Sequence, residues 1–271
     1  MDGHDELLTA AVDITRAASS LAARRFLEGV PVHTKADDTE VTPADIEVEE
    51  LIRSLIAARY PGDGVAGEEL PDSPGTTGRR WVIDPIDGTS AFAHRIPMFG
   101  VLLAVEDAEG SVVGVRSYPM SQDLVYAGRG LGCWYQVNDD PPQRLTVSST
   151  PHPRGAWVEM VNPATWSEEL LVRLHREVLL LPDVRGTLAV ASGRIDAMII
   201  AGLPMGYEDL APLPLLITEA GGRVSDLDGN DVLSGNRTVL ASNGHIHDAL
   251  LDLIRDVPSG RDYQSLIQAR R

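Results

Sequence analysis

An apolar run that breaks directly into two carboxylates, a glycine and two hydroxyls, Trp81-Val82-Ile83-Asp84-Pro85-Ile86-Asp87-Gly88-Thr89-Ser90, constrains this chain more than any other stretch. Trp81, Val82 and Ile83 have the aromatic and β-branched character of a buried strand, and Pro85 cannot donate to a ladder, so pairing is expected to stop at about Asp84. Asp84 and Asp87 then fall in a tight turn with side chains free to converge. Two carboxylates that close repel unless positive charge lies between them, and hard oxygen donors suit Mg²⁺, Mn²⁺ or Ca²⁺. Gly88 permits close backbone approach, and the N–H groups around Gly88 and Thr89 are placed to hold an anion such as phosphate. The same composition also makes an ordinary turn.

At 271 residues the chain suffices for one large domain or two closely packed ones, and its 43% hydrophobic and 23% charged content is that of a globular protein. A formal charge of -17 argues against nucleic acid or an anionic membrane as partner, since each repels it at long range. The single cysteine, Cys133, excludes an internal disulfide and fits a reducing cytoplasm, with a buried structural thiol as its expected role. Acids rather than a basic region occupy Met1 to Glu6, so no signal peptide is expected, and no stretch has the apolar length of a membrane span.

Helical spacing of Leu7, Leu8, Ala11, Val12, Ile14, Ala18, Leu21 and Ala22 predicts an amphipathic helix from Asp5 to about Leu27. After the polar, loop-like stretch Lys35 to Glu40, a second helix opens with Thr42 as N-cap and Pro43 first, and Tyr60-Pro61-Gly62 ends it. Asp45, third in that helix, reaches back to the cap or serves a site; the pattern alone leaves both open. Val65-Ala66 reads as a strand ending at Gly67-Glu68-Glu69, where adjacent acids are commonly just solvated. Val101 to Val105, Val112 to Val115 and Leu124 to Ala127 then read as an antiparallel meander that Gly128 to Tyr135 continues and Arg144 to Ser148 closes. No helix pattern follows Gly130 and Gly132, which disfavours a nucleotide-binding loop there.

A composition shift at Ser149 to Pro153 marks the expected boundary between residues 1–150 and 151–271. Strands at Ala156 to Val161, Val178 to Leu181, Ile195 to Ile200, Arg223 to Asp228 and Val239 to Gly244 alternate with helices at Ser167 to Glu177, Gly186 to Gly193 and His247 to Ile254, an α/β pattern. Asp209 opens a further helix that Gly221-Gly222 stops, where a carboxylate suits either a cap or a ligand. His245 and His247 flank a helix start and read as surface residues. None of the seven histidines has zinc-ligand spacing, and neither a nucleophile elbow nor a Walker loop appears.

Asp84-Pro85-Ile86-Asp87-Gly88-Thr89 resembles the signature of the inositol monophosphatase family of Mg²⁺-dependent phosphatases. An Asp after Val41-Thr42 at the start of the second helix, Gly67-Glu68-Glu69 upstream of the signature, and Asp209 opening a helix that ends in Glu219-Ala220-Gly221-Gly222 follow the family order, so the resemblance runs from about Lys35 to Ile254. Glu208 stands where the family has Trp, and Pro212 with Pro214 is unusual, so the first turn there is expected to be distorted. The Lys35 to Ile52 segment is similar to the bacterial histidinol-phosphatase branch.

The resemblance implies an α/β (α+β) fold of the layered α-β-α-β-α sugar-phosphatase type, commonly dimeric, and two or three Mg²⁺ ions, with Mn²⁺ as the alternative. It implies Glu68, Asp84, Asp87, Asp209 and the Ile86 carbonyl as metal ligands, and Glu68 and Thr89 as the groups holding the attacking water, with Asp45 orienting Thr89. Asp87, Gly88, Thr89, Ser90 and Thr187 are the expected phosphate or substrate contacts. Family members often carry a substrate-binding glutamate seven residues before the second-signature Asp; here that position is Gly202. The expected reaction is hydrolysis of a small phosphate monoester such as histidinol phosphate, in the cytoplasm. A nucleotide, inositol or fructose-1,6-bisphosphate phosphatase is the alternative, and a non-catalytic ligand-binding member is the reading of another class.

Overall fold

A computed structural model describes residues 3–34, 40–182, 185–263 and 265. The chain divides into two compact units, residues 1–144 and 145–271. The loop expected over Lys35 to Glu40 lies, up to Thr39, outside the described residues.

In the first unit α1 (Gly3–Glu28) precedes the two-residue strands β1 (His33–Thr34) and β2 (Glu40–Val41), then α2 (Pro43–Arg59). The strands β3 (Gly64–Gly67), β4 (Arg80–Asp87), β5 (Gly100–Asp107), β6 (Gly110–Tyr118), β7 (Asp123–Gly128), β8 (Gly132–Val137) and β9 (Gln143–Arg144) form one sheet in sequence order, and α3 (Thr89–Ala93) follows β4. Only β3 and β4 run parallel; the rest is an antiparallel meander. The apolar stripe of α1 (Leu7, Ala11, Ile14, Ala18, Phe26) and that of α2 (Val48, Ile52, Ile56) share one core with the alternate residues Trp81 and Ile83 of β4, Val101, Leu103 and Val105 of β5, and Val113 and Val115 of β6. A period of three to four on the helices thus meets a period of two on the strands. Cys133 is buried, as a structural thiol would be.

Pairing does not stop at Asp84. β4 continues through Pro85 to Asp87, because the register slips between Asp84, opposite Leu102, and Asp87, opposite Gly100. Such a bulge leaves residues outside the ladder, which is where a strand tolerates a proline without an N–H. At the other edge, Leu145 to Ser148 do not close the meander: the last strand ends at Arg144, and Val147 instead donates its N–H to Ala220 O at 3.1 Å.

The second unit contains β10 (Trp157–Val161), α4 (Glu168–His175), β11 (Leu179–Pro182), α5 (Gly186–Ala191), β12 (Ala197–Ile200), α6 (Tyr207–Leu210), α7 (Leu213–Glu219), β13 (Arg223–Ser225), β14 (Val239–Ser242) and α8 (His247–Ile254). Its sheet has the order β11-β10-β12-β14-β13, parallel across β11, β10 and β12 and antiparallel beyond. Leu170 and Leu174 of α4 and Leu250 and Ile254 of α8 pack with Val158, Ala197, Ile199 and Leu240 in its core.

Two expectations fail here for a shared reason, long-range polar satisfaction. The strand expected to reach Asp228 ends at Ser225, because the buried Asp226 carboxylate gathers the N–H groups of Asp228, Asn230 and Asn236 and turns the chain. His247 is not a surface residue: it is fully buried, its ring nitrogens each 2.9 Å from a serine hydroxyl, of Ser225 and of Ser242. Among the described residues no helix is long and apolar enough to cross a membrane.

Candidate active site

Three short segments of the first unit assemble the candidate site, beginning at the start of α2. Thr42 is the N-cap, its hydroxyl accepting the Ala44 N–H at 3.2 Å, and Asp45 answers with Oδ2, which accepts the Thr42 N–H at 2.9 Å and the Thr42 hydroxyl at 2.6 Å. Asp45 thus caps the helix, and its other oxygen accepts the Thr89 hydroxyl at 3.3 Å. Burial pushes the Asp45 carboxyl above its ordinary value; hydrogen bonds from Thr42 pull it down and the charge of Glu68 adds to the rise.

The bulge in β4 turns Asp84 and Asp87 toward one another. Asp84 is buried, Asp87 half-buried, and a carboxylate oxygen of each lies within 4.8 Å of the other. Among the described residues of this unit no third carboxylate joins them at that range, Glu68 included. The Asp87 carboxylate is held in an ion pair by Arg116 of β6. Gly88 follows with φ 92, a left-handed conformation that favours glycine, and a Cβ there would lie 3.0 Å from Met98 O. The chain can then start α3 at Thr89, whose hydroxyl lies 3.1 Å from the Ile86 carbonyl oxygen. Ser90 is exposed on the same short helix.

Glu68 is exposed just beyond β3, its N–H bonded to Ile83 O at 3.3 Å, so this loop is tied to β4 next to the signature. Glu49 of α2 fixes the loop from the other side. Its fully buried carboxylate accepts the N–H groups of Glu69 at 2.8 Å and Leu70 at 3.3 Å, and the Arg53 guanidinium at 2.8 Å. Neither Glu49 nor Arg116 stands out in the sequence. The available signal for Glu49 is Gly67, where a Cβ would come 2.1 Å from Glu49 Oε1.

In the second unit the distortion expected around Asp209 takes the form of a broken helix, α6 ending at Leu210 and α7 starting at Leu213. Pro212 and Pro214 each lack the N–H that would continue the ladder. Asp209 accepts the Gly206 N–H at 2.8 Å, so it caps its own short helix. Thr187 is buried in α5. Gly202 adopts φ 90, and a Cβ there would fall 2.2 Å from Thr165 O. No larger side chain fits that position as the backbone stands.

The chain is similar to known proteins along most of its length. The model of the inositol monophosphatase family matches residues 4–259. A histidinol-phosphatase of Mycobacterium tuberculosis is 35% identical over 255 residues, covering 92% of this chain and 97% of its own. An inositol-1-monophosphatase of Caulobacter vibrioides is 32% identical over 260 residues, covering 90% and 99%. The crystal structure of extragenic suppressor protein suhB from Bartonella henselae superposes with a TM-score of 0.81 at 26% identity, covering 93% of this chain and 99% of that one. The chain therefore belongs to the inositol monophosphatase family of metal-dependent phosphatases.

Proposed function

We propose that this chain hydrolyses a small-molecule phosphate monoester to an alcohol and inorganic phosphate, using Mg²⁺ and a water held between Glu68 and Thr89. The observation that carries this reading is the contact of the Thr89 hydroxyl with Asp45 beside the close Asp84–Asp87 pair. An oxygen-only donor set with a buried carboxylate fits a hard divalent cation, and Glu68, Asp84, Asp87, Asp209 and the Ile86 carbonyl would hold two or three Mg²⁺ ions, or Mn²⁺. Bound there, such ions make a coordinated water more acidic and offset charge on the phosphoryl and leaving oxygens.

The protein groups then have separable tasks. Asp45 takes the Thr89 O–H as a hydrogen bond, which leaves the lone pairs of Thr89 Oγ1 to accept a hydrogen bond from the attacking water, whose hydrogen on that side stays on its oxygen. Glu68 accepts that water's other proton as its oxygen bonds to phosphorus in line with the ester oxygen. The phosphorus–oxygen ester bond breaks, the departing alkoxide takes a proton from solvent water to become the alcohol, and Glu68 returns its proton to solvent. Amides of Gly88 and Thr89, with Asp87, Ser90 and Thr187, orient the phosphate and substrate, and fixed donors at the places where charge collects account for much of the rate.

Histidinol phosphate or a related metabolite phosphate is the proposed substrate, supported by the names of the relatives and by the bacterial-type segment at Lys35 to Ile52. The absence of room for a side chain at Gly202 supports it against inositol phosphate, since that position cannot supply a carboxylate to sugar hydroxyls. The broken helix at Ala211-Pro212 favours a second reading, a member that binds phosphate esters without turning them over. A cytoplasmic homodimer is part of the proposal and is tested by light scattering of the purified chain. Phosphate release from histidinol phosphate, inositol-1-phosphate, fructose-1,6-bisphosphate, adenosine monophosphate and 3'-phosphoadenosine 5'-phosphate, each with Mg²⁺ titrated, separates the readings: hydrolysis of one supports an enzyme and names its branch, and binding without hydrolysis supports the second.

A further inference from the structure

Arg116 crosses a strand to reach the signature. On β6 it stands opposite Leu102 of β5, while Asp87 at the end of β4 stands opposite Gly100 of the same strand. Gly100 leaves the passage open: a Cβ there would lie 3.6 Å from Asp87 Oδ2, 3.9 Å from Arg116 Nε and 2.9 Å from Ser117 O. Arg116 Nη2 donates to Asp87 Oδ2, and its guanidinium carbon lies 5.6 Å from the centroid of the Tyr118 ring, a cation–π contact that holds the group in place. Side-chain exposures of 25% for Arg116 and 18% for Asp87 make this a sheltered pair. Solvent therefore screens it less than an exposed pair.

We propose that Arg116 is a built-in counter-ion that competes with a divalent cation for Asp87, and so sets the metal concentration at which this part of the site fills. The inference rests on the reading of Asp84 and Asp87 as metal ligands. Two carboxylates within 4.8 Å need positive charge, and a guanidinium supplies one that no working pH removes. A divalent ion arriving at Asp87 must either displace that guanidinium or settle a few ångströms from it. Two effects oppose each other here: Arg116 pre-orients the carboxylate, which favours the ion, and it repels the ion. A short Asp side chain has little rotamer freedom to save, whereas a double charge beside a single one in a sheltered site interacts strongly, so repulsion wins. Arg116 touches no reacting atom in this account and is a positioning residue.

Calorimetric titration of the full chain with Mn²⁺ alone, in low salt at pH 7.5, tests this on the parent protein, Arg116→Gln, Arg116→Met, Arg116→Lys and Asp84→Asn. The charge-removing variants are expected to bind Mn²⁺ more tightly by on the order of tenfold, the scale on which groups behind a ligand tune metal affinity. Arg116→Lys should stay near the parent. Arg116→Met keeps an apolar stem against Tyr118, and gives an independent reading if the glutamine variant does not fold. Unchanged or weaker binding in the uncharged variants overturns the proposal, as does an equal gain in Arg116→Lys, which would make the effect one of shape. Absence of Mn²⁺ binding in the parent, or parent-like binding in Asp84→Asn, would instead overturn the metal-site reading beneath it.

Discussion

The Glu49 carboxylate accepts the Glu69 N–H at 2.8 Å from a position with no solvent exposure, twenty residues earlier on α2. It holds the Gly67-Glu68-Glu69 loop at a set distance from the helix, and its charge is balanced by Arg53. Breaking a buried pair by removing one partner leaves the other uncompensated and costs about 3 to 5 kcal/mol. Glu49→Leu should therefore lower the urea midpoint sharply. Gly67→Ala should destabilise as well, by about 1 to 3 kcal/mol, since the added carbon overpacks against Glu49 Oε1. A Gly67→Ala protein with the parent's midpoint would mean that the loop moves freely and that Glu49 does not fix it.

Asp45 serves a cap and Thr89 with different oxygens, which makes its two roles separable. Asp45→Asn is expected to lower kcat about 10² to 10³-fold with little change in KM, because the Thr89 hydroxyl loses its charged acceptor during proton transfer. Thr42→Ala removes the cap and the hydroxyl bond to Asp45 Oδ2 but leaves Oδ1 to Thr89, and should cost about 1 kcal/mol of stability while leaving kcat within a few-fold. Equal losses of kcat in both variants would reduce Asp45 to a capping residue.

Burial of His247, with the nearby Arg223 charge acting in the same direction and Asp248 against it, lowers its pKa from 6.5 to about 4. The folded state then binds fewer protons than the unfolded state wherever the unfolded imidazole is protonated. Stability is consequently full above about pH 6.5 and falls as the pH drops toward 4, by a total of about 3 kcal/mol from this group. Urea unfolding of the parent and His247→Gln between pH 7.5 and 4 should show the variant less stable at pH 7.5 but with a shallower acid slope. Parallel slopes would show that the ring is hydrated and titrates normally.

Gly202 holds a left-handed φ with Thr165 O where its Cβ would be. Gly202→Glu, which restores the carboxylate common in the family, is expected to cost more than about 3 kcal/mol through strain and overlap, and thermal unfolding should show it. A well-folded Gly202→Glu protein would reopen inositol phosphate as a substrate.

Local chemistry was legible in the sequence and partner-dependent chemistry was not. Thr42, Pro43 and Asp45 announce a helix start because a cap involves residues three apart, and the helix expected over His247 to Ile254 has those bounds in the fold. Asp84, Asp87 and Thr89 stand out for the same reason: a short motif carries its own donors. Pro85 misled because its tolerance depends on a bulge against Leu102 and Gly100 of another strand. His247 misled because its serine partners lie at positions 225 and 242, invisible to any local pattern. Glu49 and Arg116 are hidden by ordinary surroundings, an amphipathic helix and a β-strand, and only the pairing of strands shows what they touch.

Phosphate ester hydrolysis by this chain is proposed to depend on Mg²⁺ held by carboxylates of the signature. Phosphate release by the purified chain and by Asp84→Asn, measured across the same ester panel with Mg²⁺ varied from chelated to saturating, tests it most directly. Turnover of at least one ester should rise with Mg²⁺, vanish on chelation and be lost in Asp84→Asn. Hydrolysis that persists without divalent ions, or survives in Asp84→Asn, would rule out a metal site at the signature.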